Sequence, residues 1–256
     1  MKRNELVNHL NNLLKLGDFA GDVSNNGLQV EGAGEVTKIA YGVDASLAMA
    51  IQADRAGAEF IFVHHGLSWG GEPRRFTGVT GGRFRELFQR NLSLYAVHLP
   101  LDAHELLGHN ACLCRISGVR NVEKFCPYHG MMIGWYGELA APEVPAVIGQ
   151  RLAEALISPP EVRIYGSDIT RPVKRVGAVS GGGGFDAVDS ALANNLDLLI
   201  TGEMSHEIYN LVMESGLTVI ALGHYASETI GVAAVKEWVE RELGIPGVWI
   251  DLPTGL

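Results

Sequence analysis

The sequence predicts an α/β protein of two pseudo-symmetric, interlinked α/β halves with mixed sheets and a metal site between them. Apolar runs of five to eight residues alternate with helix-period segments through most of the 256 residues, the signature of βα units. Two stretches also match each other: Val36–Val43, a helix and then Phe60–His65; and Val173–Val179, a helix of equal length and then Asp197–Gly202. Setting Ile39 on Val176 aligns Val63 with Ile200 and His64 with Thr201. In each half the next strand ends in a histidine, three residues and an acid: His98 to Asp102 and His224 to Glu228.

Taken in order, the chain opens on an amphipathic helix, Asn4 to Leu16, with Leu6, Leu10, Leu13 and Leu14 at helical spacing. A strand, Thr37 to Val43, and a helix, Ser46 to Ala56, lead to the strand Glu59 to Val63, a Phe-Ile-Phe-Val run that reads as buried. Leu67 to Asn91 is an insert with no partner in the second half; it carries the helix Gly82 to Arg90 and precedes the strand Leu92 to Val97. A helix follows over Asn110 to Ser117. Gly118 to Pro172 has no counterpart in the first half and is punctuated by Pro127, Pro142, Pro145 and the Pro159-Pro160 pair. It holds strands at Met131 to Ala140 and Val162 to Tyr165 and a helix at Val144 to Leu156. The second copy supplies the strand Val173 to Val179, the helix Phe185 to Asn194, the strand Asp197 to Thr201, the helix His206 to Ser215 and the strand Leu217 to Leu222. A helix, Ser227 to Leu243, and a strand, Val248 to Leu252, close the chain. The boundary is placed near Phe125, giving halves 1–125 and 126–256, with the last helix and strand free to pack with the first half.

A net charge of −9 without a Lys/Arg block argues against a protein whose task is to grip a phosphate backbone. A small anionic substrate remains compatible, because a metal ion brings its own positive charge. No apolar run reaches the roughly 20 residues needed to cross a bilayer, and the first residues lack the apolar stretch of a signal peptide. A cytoplasmic protein with no membrane partner is expected. The three cysteines, Cys112, Cys114 and Cys126, are odd in number and form no CxxC. Cys112 and Cys114 lie two apart on a helix, do not share a face, and read as small buried thiols.

Imidazole and carboxylate are ligands for zinc, iron or manganese. His64 and His65 end the Phe60–Val63 strand, where ligands gather in open α/β sheets. Neighbouring strand residues point to opposite faces, so the pair suits two ions at a bend, or one ligand beside a hydrogen-bonded histidine. Leu99-Pro100 is expected to break any helix running from His98, so that His98 and Asp102 converge across a turn. His224 and Glu228 fall at the start of a helix, within reach of each other. Alone, Asp102 reads equally as a helix cap and Glu228 as a surface acid. Five or six such groups at three strand ends favour a metal centre, and Glu228 is the candidate bridge between two ions. Two ions with a bridging carboxylate suit hydrolysis: they lower the pKa of water and stabilise developing negative charge. Glu203 and Tyr225 lie near this site by topology and are candidate proton carriers. Gly181–Gly184 follows a strand and opens a helix, but lacks phosphate-loop spacing and reads as a tight turn. Arg74, Arg75, Arg83 and Arg85 in the insert read either as contacts for an anionic substrate or as a solvated or subunit-contact loop.

Four motifs occur in family order: Asn26-Gly27-Leu28-Gln29-Val30-Glu31-Gly32, Val63-His64-His65-Gly66, His98-Leu99-Pro100-Leu101-Asp102-Ala103-His104 and Gly223-His224-Tyr225-Ala226-Ser227-Glu228. In these the chain resembles, over nearly its whole length, the NGG-interacting-factor-three-like family, whose bacterial members include the GTP cyclohydrolase I type 2 homologues. The resemblance implies a two-part α/β fold, two divalent metal ions and a toroidal homohexamer arranged as a trimer of dimers. It places the metal ligands on His64, His65, Asp102, His224 and Glu228, with Glu228 shared and His98 beside them as ligand or neighbour. Some relatives carry a histidine where this chain has Tyr225 and a lysine where it has Gly70. The implied activity is hydrolysis of a purine nucleotide, specifically opening of the GTP imidazole ring at C8. The alternatives are a metal-dependent phosphoesterase or nuclease, and a non-catalytic metal-binding regulatory scaffold.

Overall fold

Residues 1–71, 73–158 and 161–256 are described by the computed structural model, so the Pro159-Pro160 pair lies outside the described residues. In chain order the elements are α1 (Arg3–Leu13), β1 (Gly27–Val30), β2 (Ile39–Asp44), α2 (Leu47–Arg55), β3 (Phe60–His65), α3 (Gly78–Gln89), β4 (Ser93–Ala96), α4 (Leu99–Asp102) and α5 (His109–Ile116). They continue with β5 (Arg120–Tyr128), β6 (Met131–Glu143), α6 (Pro145–Ala155), β7 (Arg163–Tyr165), β8 (Val173–Val179), α7 (Gly184–Ala193), β9 (Leu198–Thr201), α8 (Tyr209–Ser215), β10 (Thr218–Ala221), α9 (His224–Ser227), α10 (Thr229–Leu243) and β11 (Gly247–Trp249). Most expected strands and helices are present within a few residues. The helix expected over His206 to Ser215 starts as a 3-10 turn, His206–Ile208.

The backbone divides into two compact units, Met1–Leu101 with Val232–Leu252, and Asp102–Gly231 with Pro253–Leu256. The first carries a five-stranded sheet in the order β1-β4-β3-β2-β11, parallel except for β1. Its core is Ala40, Ile61, Val63, Leu94 and Ala96 from the strands against Met49, Ala53, Phe84 and Leu87 from α2 and α3. The second carries a six-stranded sheet in the order β5-β6-β8-β9-β10-β7, with β8, β9 and β10 parallel and the rest antiparallel. Val176, Leu198, Ile200 and Ile220 pack there against Leu113, Ile148 and Leu152, all fully buried. The first unit ends at Leu101 rather than near Phe125 because α5 packs on the second sheet. There Asn110 Nδ2 donates to Ile133 O (2.9 Å) and Cys114 Sγ lies 3.2 Å from Trp135 O.

Two strands had no counterpart in the sequence reading. β1 is a four-residue Gly-Leu-Gln-Val segment with a register shift, and β5 is largely exposed. Neither offers a run of apolar residues. The expected break at Leu99-Pro100 is also corrected: Leu99–Asp102 is a helical turn. Proline is tolerated in a first turn, where its missing N–H would have had no helical partner.

The internal repeat is real at the level of topology and shifted at the level of residues. β2-β3-β4 and β8-β9-β10 are each three parallel strands in chain order, flanked beyond the third by an antiparallel edge strand, β1 or β7. Glu59 N donates to Lys38 O as Asp197 N donates to Arg175 O, and Val97 N to Val63 O as Leu222 N to Thr201 O. The Glu59 carboxylate accepts from Thr37 N and Lys38 N; the Asp197 carboxylate accepts from Lys174 N and Arg175 N. These ladders set Val63 level with Thr201, not Ile200, and His64 level with Gly202, not Thr201. By the same ladder His98 stands level with Gly223, so His98 and His224 are not equivalent positions. A crossover absorbs one extra residue at little cost, whereas a one-residue slip in a ladder would turn every side chain to the other face.

Candidate metal centre

In the first unit, β3 and β4 end side by side and deliver three imidazoles. One ring nitrogen of each of His64, His65 and His98 lies within 4.8 Å of the others'. The His64 and His65 ring centroids are 4.5 Å apart and those of His64 and His98 5.1 Å. The alternation of a regular strand would have separated His64 from His65; at the last residues of β3 the rings instead fall together. His64 is fully buried and His65 partly exposed.

Each ring is oriented through Nδ1. His64 Nδ1 lies 2.8 Å from Val97 O, His65 Nδ1 2.8 Å from Asp44 Oδ1 and His98 Nδ1 3.0 Å from Asp22 Oδ1. A carbonyl or carboxylate can only accept, so the neutral rings carry their proton on Nδ1 and present the Nε2 lone pair. Histidines that bind metals show this arrangement, with a carboxylate or carbonyl behind the ring fixing tautomer and angle. Burial raises the Asp22 carboxyl, but hydrogen bonds from His98, Asn26 and Ser24 outweigh it and hold it below the ordinary carboxylate range. Trp69 stands edge-on to His98 at 5.1 Å and donates from Nε1 to Gly66 O.

In the second unit, α9 follows β10 and brings His224 and Glu228 together, with Nε2 and Oε1 3.2 Å apart. His224 Nδ1 lies 2.6 Å from Glu203 Oε1. Hydrogen bonding to Glu228, reinforced by Glu203 and opposed by burial, holds the imidazole pKa up at about 9. A cation binding there would displace a proton. Glu228 is buried. It fits because the turn after β8 is glycine: a Cβ on Gly181 (φ +61) would lie 2.3 Å from Glu228 Oε1 and 3.1 Å from His224 Nε2. Asp102, also buried, accepts from Ser180 Oγ at 3.1 Å in the same turn. Within Gly181–Gly184, it is thus Gly181 that makes room for the Glu228 carboxylate.

Tyr225 is buried on α9 and, with Glu203, lines a cavity of about 660 Å³ at the carboxyl ends of β9 and β10. Arg163, Tyr165, Met204 and Pro253 line it too. Arg74, Arg75 and Arg85 of the insert are exposed.

Sequence reasoning missed Asp22 and Asp44, which sit behind His98 and His65, and Ser180 beside Asp102. Nothing in their spacing marks them. It also passed over His109, buried, whose Nδ1 accepts from Gly231 N at 3.1 Å and whose proton is therefore on Nε2. The three imidazoles of the first unit, and the imidazole and carboxylates of the second, are donors of the kind that hold a zinc, iron or manganese ion.

Among known sequences, the profile of the family described as Duf34/NIF3 (NGG1p interacting factor 3) matches residues 1–251. A Pyrococcus horikoshii protein named GTP cyclohydrolase 1 type 2 homolog is 44% identical over 257 residues, covering 100% of both chains. Among solved structures, the structural-genomics protein ybgI, titled as of unknown function, superimposes with a TM-score of 0.88 at 35% identity over 100% of both chains. TTHA1606 from Thermus thermophilus does so with a TM-score of 0.84 at 38% identity, again over 100% of both.

Proposed function

This chain belongs to the Duf34/NIF3 family, and from that premise we propose that it is a dinuclear-metal-dependent hydrolase of a purine nucleotide, GTP cyclohydrolase type 2-like in its reaction. The observation that carries the reading is the common orientation of four imidazoles. His64, His65, His98 and His224 each have Nδ1 against a carbonyl or carboxylate oxygen, which leaves Nε2 as the atom to meet an ion; in His224 that atom faces Glu228 Oε1. The proposed ligands are His64, His65, Asp102, His224 and Glu228, with Glu228 serving two ions and His98 beside them as ligand or neighbour. Bound ions would supply Lewis acidity and an activated water. Glu203, half exposed at the cavity wall and hydrogen-bonded to His224, is the group placed to hold or pass a proton; Tyr225, which lines the same cavity, and His98 are the further candidates for this role. The cavity falls within the size range of small-ligand sites, and its Arg163 and Tyr165 suit a phosphate and a ring.

The names of the relatives support a nucleotide, and the test is direct. Protein loaded with zinc, iron or manganese and incubated with GTP should release formate, and Glu228→Ala should abolish both metal retention and release. Inorganic phosphate without formate would replace ring opening with the phosphoesterase reading. Turnover of no nucleotide by fully loaded protein would leave the regulatory scaffold.

The homohexamer is part of the same proposal. Phe76, Val79 and Phe88 are more than half exposed on and before α3, with Phe76 and Phe88 packed on Phe84, the kind of apolar patch that marks an interface. Light scattering should return six times the 27.5 kDa chain mass.

A further inference from the structure

The proposed reaction gives no task to Asp22–Gln29, yet this segment ties together both histidine-bearing strand ends of the first unit. We propose that Asp22, Asn26 and Gln29 form a positioning clamp that sets His98 in one tautomer and fixes the turn after His65 before any ion arrives. The clamp itself stands on hydrogen bonds; its effect on metal affinity rests on the metal-centre reading.

The Asp22 side chain is fully buried. Its Oδ1 accepts from His98 Nδ1 (3.0 Å) and Ser24 N (2.9 Å), and its Oδ2 from Leu99 N (3.0 Å) and Asn26 Nδ2 (2.7 Å). Asn26 Oδ1 in turn accepts from His98 N at 2.7 Å. Two side chains thus take up the imidazole and both backbone N–H groups where the chain leaves β4. The His98 N–H belongs to no ladder, and the Leu99 N–H opens α4, where a first-turn donor has no helical partner, so both would otherwise lack a protein acceptor.

Gln29 performs the same service for the other strand. Leu28 pairs with Tyr95 and Val30 with Leu94, so Gln29 is the extra residue of a bulge, a device that re-aims one side chain. Its Oε1 accepts from Leu67 N (2.7 Å) and Ser68 N (3.1 Å), while Nε2 donates to Asn25 O (2.9 Å) and Ser68 O (3.2 Å). Gly66 leaves the space: a Cβ there would lie 2.3 Å from Gln29 Oε1 and 2.6 Å from the Ala96 Cβ. The bulge, the amide and the glycine make one device, and it explains why Asn26 and Gln29 stand together in a single short motif.

The first test needs no metal. Nitrogen NMR of the metal-free protein labelled in histidine should show His98 protonated on Nδ1 only, and Asp22→Asn, which keeps one acceptor of two, should mix the tautomers. The second uses cobalt(II) as the probe, read by its visible absorption. Asp22→Asn and Gln29→Ala should each weaken binding by about 10- to 100-fold. In a double-mutant cycle the Asp22→Asn loss should vanish in a His98→Ala background, and the Gln29→Ala loss in a His65→Ala background. A purely structural role would carry the loss through undiminished, and that result overturns the clamp, as does a wild-type His98 protonated on Nε2. Should Asp22→Asn fail to fold, the Gln29 cycle decides alone. Wild-type protein that binds no cobalt refutes the metal centre, and the tautomer measurement still decides the clamp.

Discussion

Replacing Gly181 by alanine separates backbone strain from collision with Glu228, because Gly184, three residues on, supplies the control. Both glycines are left-handed, at φ +61 and φ +55, and an L-residue there costs about 1–2 kcal/mol. At Gly184 a Cβ meets nothing within 4 Å, so Gly184→Ala should carry that strain alone. In a chain of this size each kcal/mol moves the Tm by about 2–4 °C, giving a loss of roughly 2–8 °C. At Gly181 the Cβ would lie 2.3 Å from Glu228 Oε1, well inside contact distance, and the buried carboxylate must move. Overpacking of this kind adds about 1–3 kcal/mol, roughly doubling the loss. The displaced oxygen also belongs to the proposed bridging ligand, so cobalt(II) affinity should fall at least about tenfold in Gly181→Ala and stay unchanged in Gly184→Ala. Thermal unfolding of the metal-free variants and cobalt titration of each make the comparison. Equal melting losses and equal affinities would refute the placement of Glu228 against this turn.

Burial pushes the Cys114 thiol up to about 12 and Cys126 to about 11, and all three cysteines are buried. A disulfide reagent at pH 8 should therefore titrate almost no thiol in native protein and three in denaturant; rapid native reaction would contradict that burial. Burial tends to raise the Glu59 carboxyl, but the Thr37 and Lys38 hydrogen bonds prevail and hold it below its ordinary value. A depressed folded pKa contributes stability above the unfolded value near 4.5, lost as pH falls through the folded one. Glu59→Gln should flatten this acid limb of the denaturation midpoint, and an unchanged slope between pH 6 and 3 would sink the assignment. Ile200→Ala, at a fully buried position on β9, should cost about 2–5 kcal/mol in urea unfolding; a loss under about 1 kcal/mol would mean the second core is looser than its packing implies.

What the sequence determined by itself was the alternation of strands and helices, and which side chains stand at strand ends. Period and apolar content dictate those locally, so β3, β8 and β9 were legible, as were His64, His98 and His224. What only the tertiary structure decided was everything that depends on which backbone lies beside which. The hydrogen-bond ladder, rather than residue likeness, set Val63 level with Thr201. Sheet packing drew α5 into the second unit and returned β11 to the first. Asp22 and Asp44, distant in sequence from the rings they face, became partners of His98 and His65. A local pattern fixes the face a side chain takes on its own element, but register and partnership are long-range choices, made when a ladder closes and a core fills.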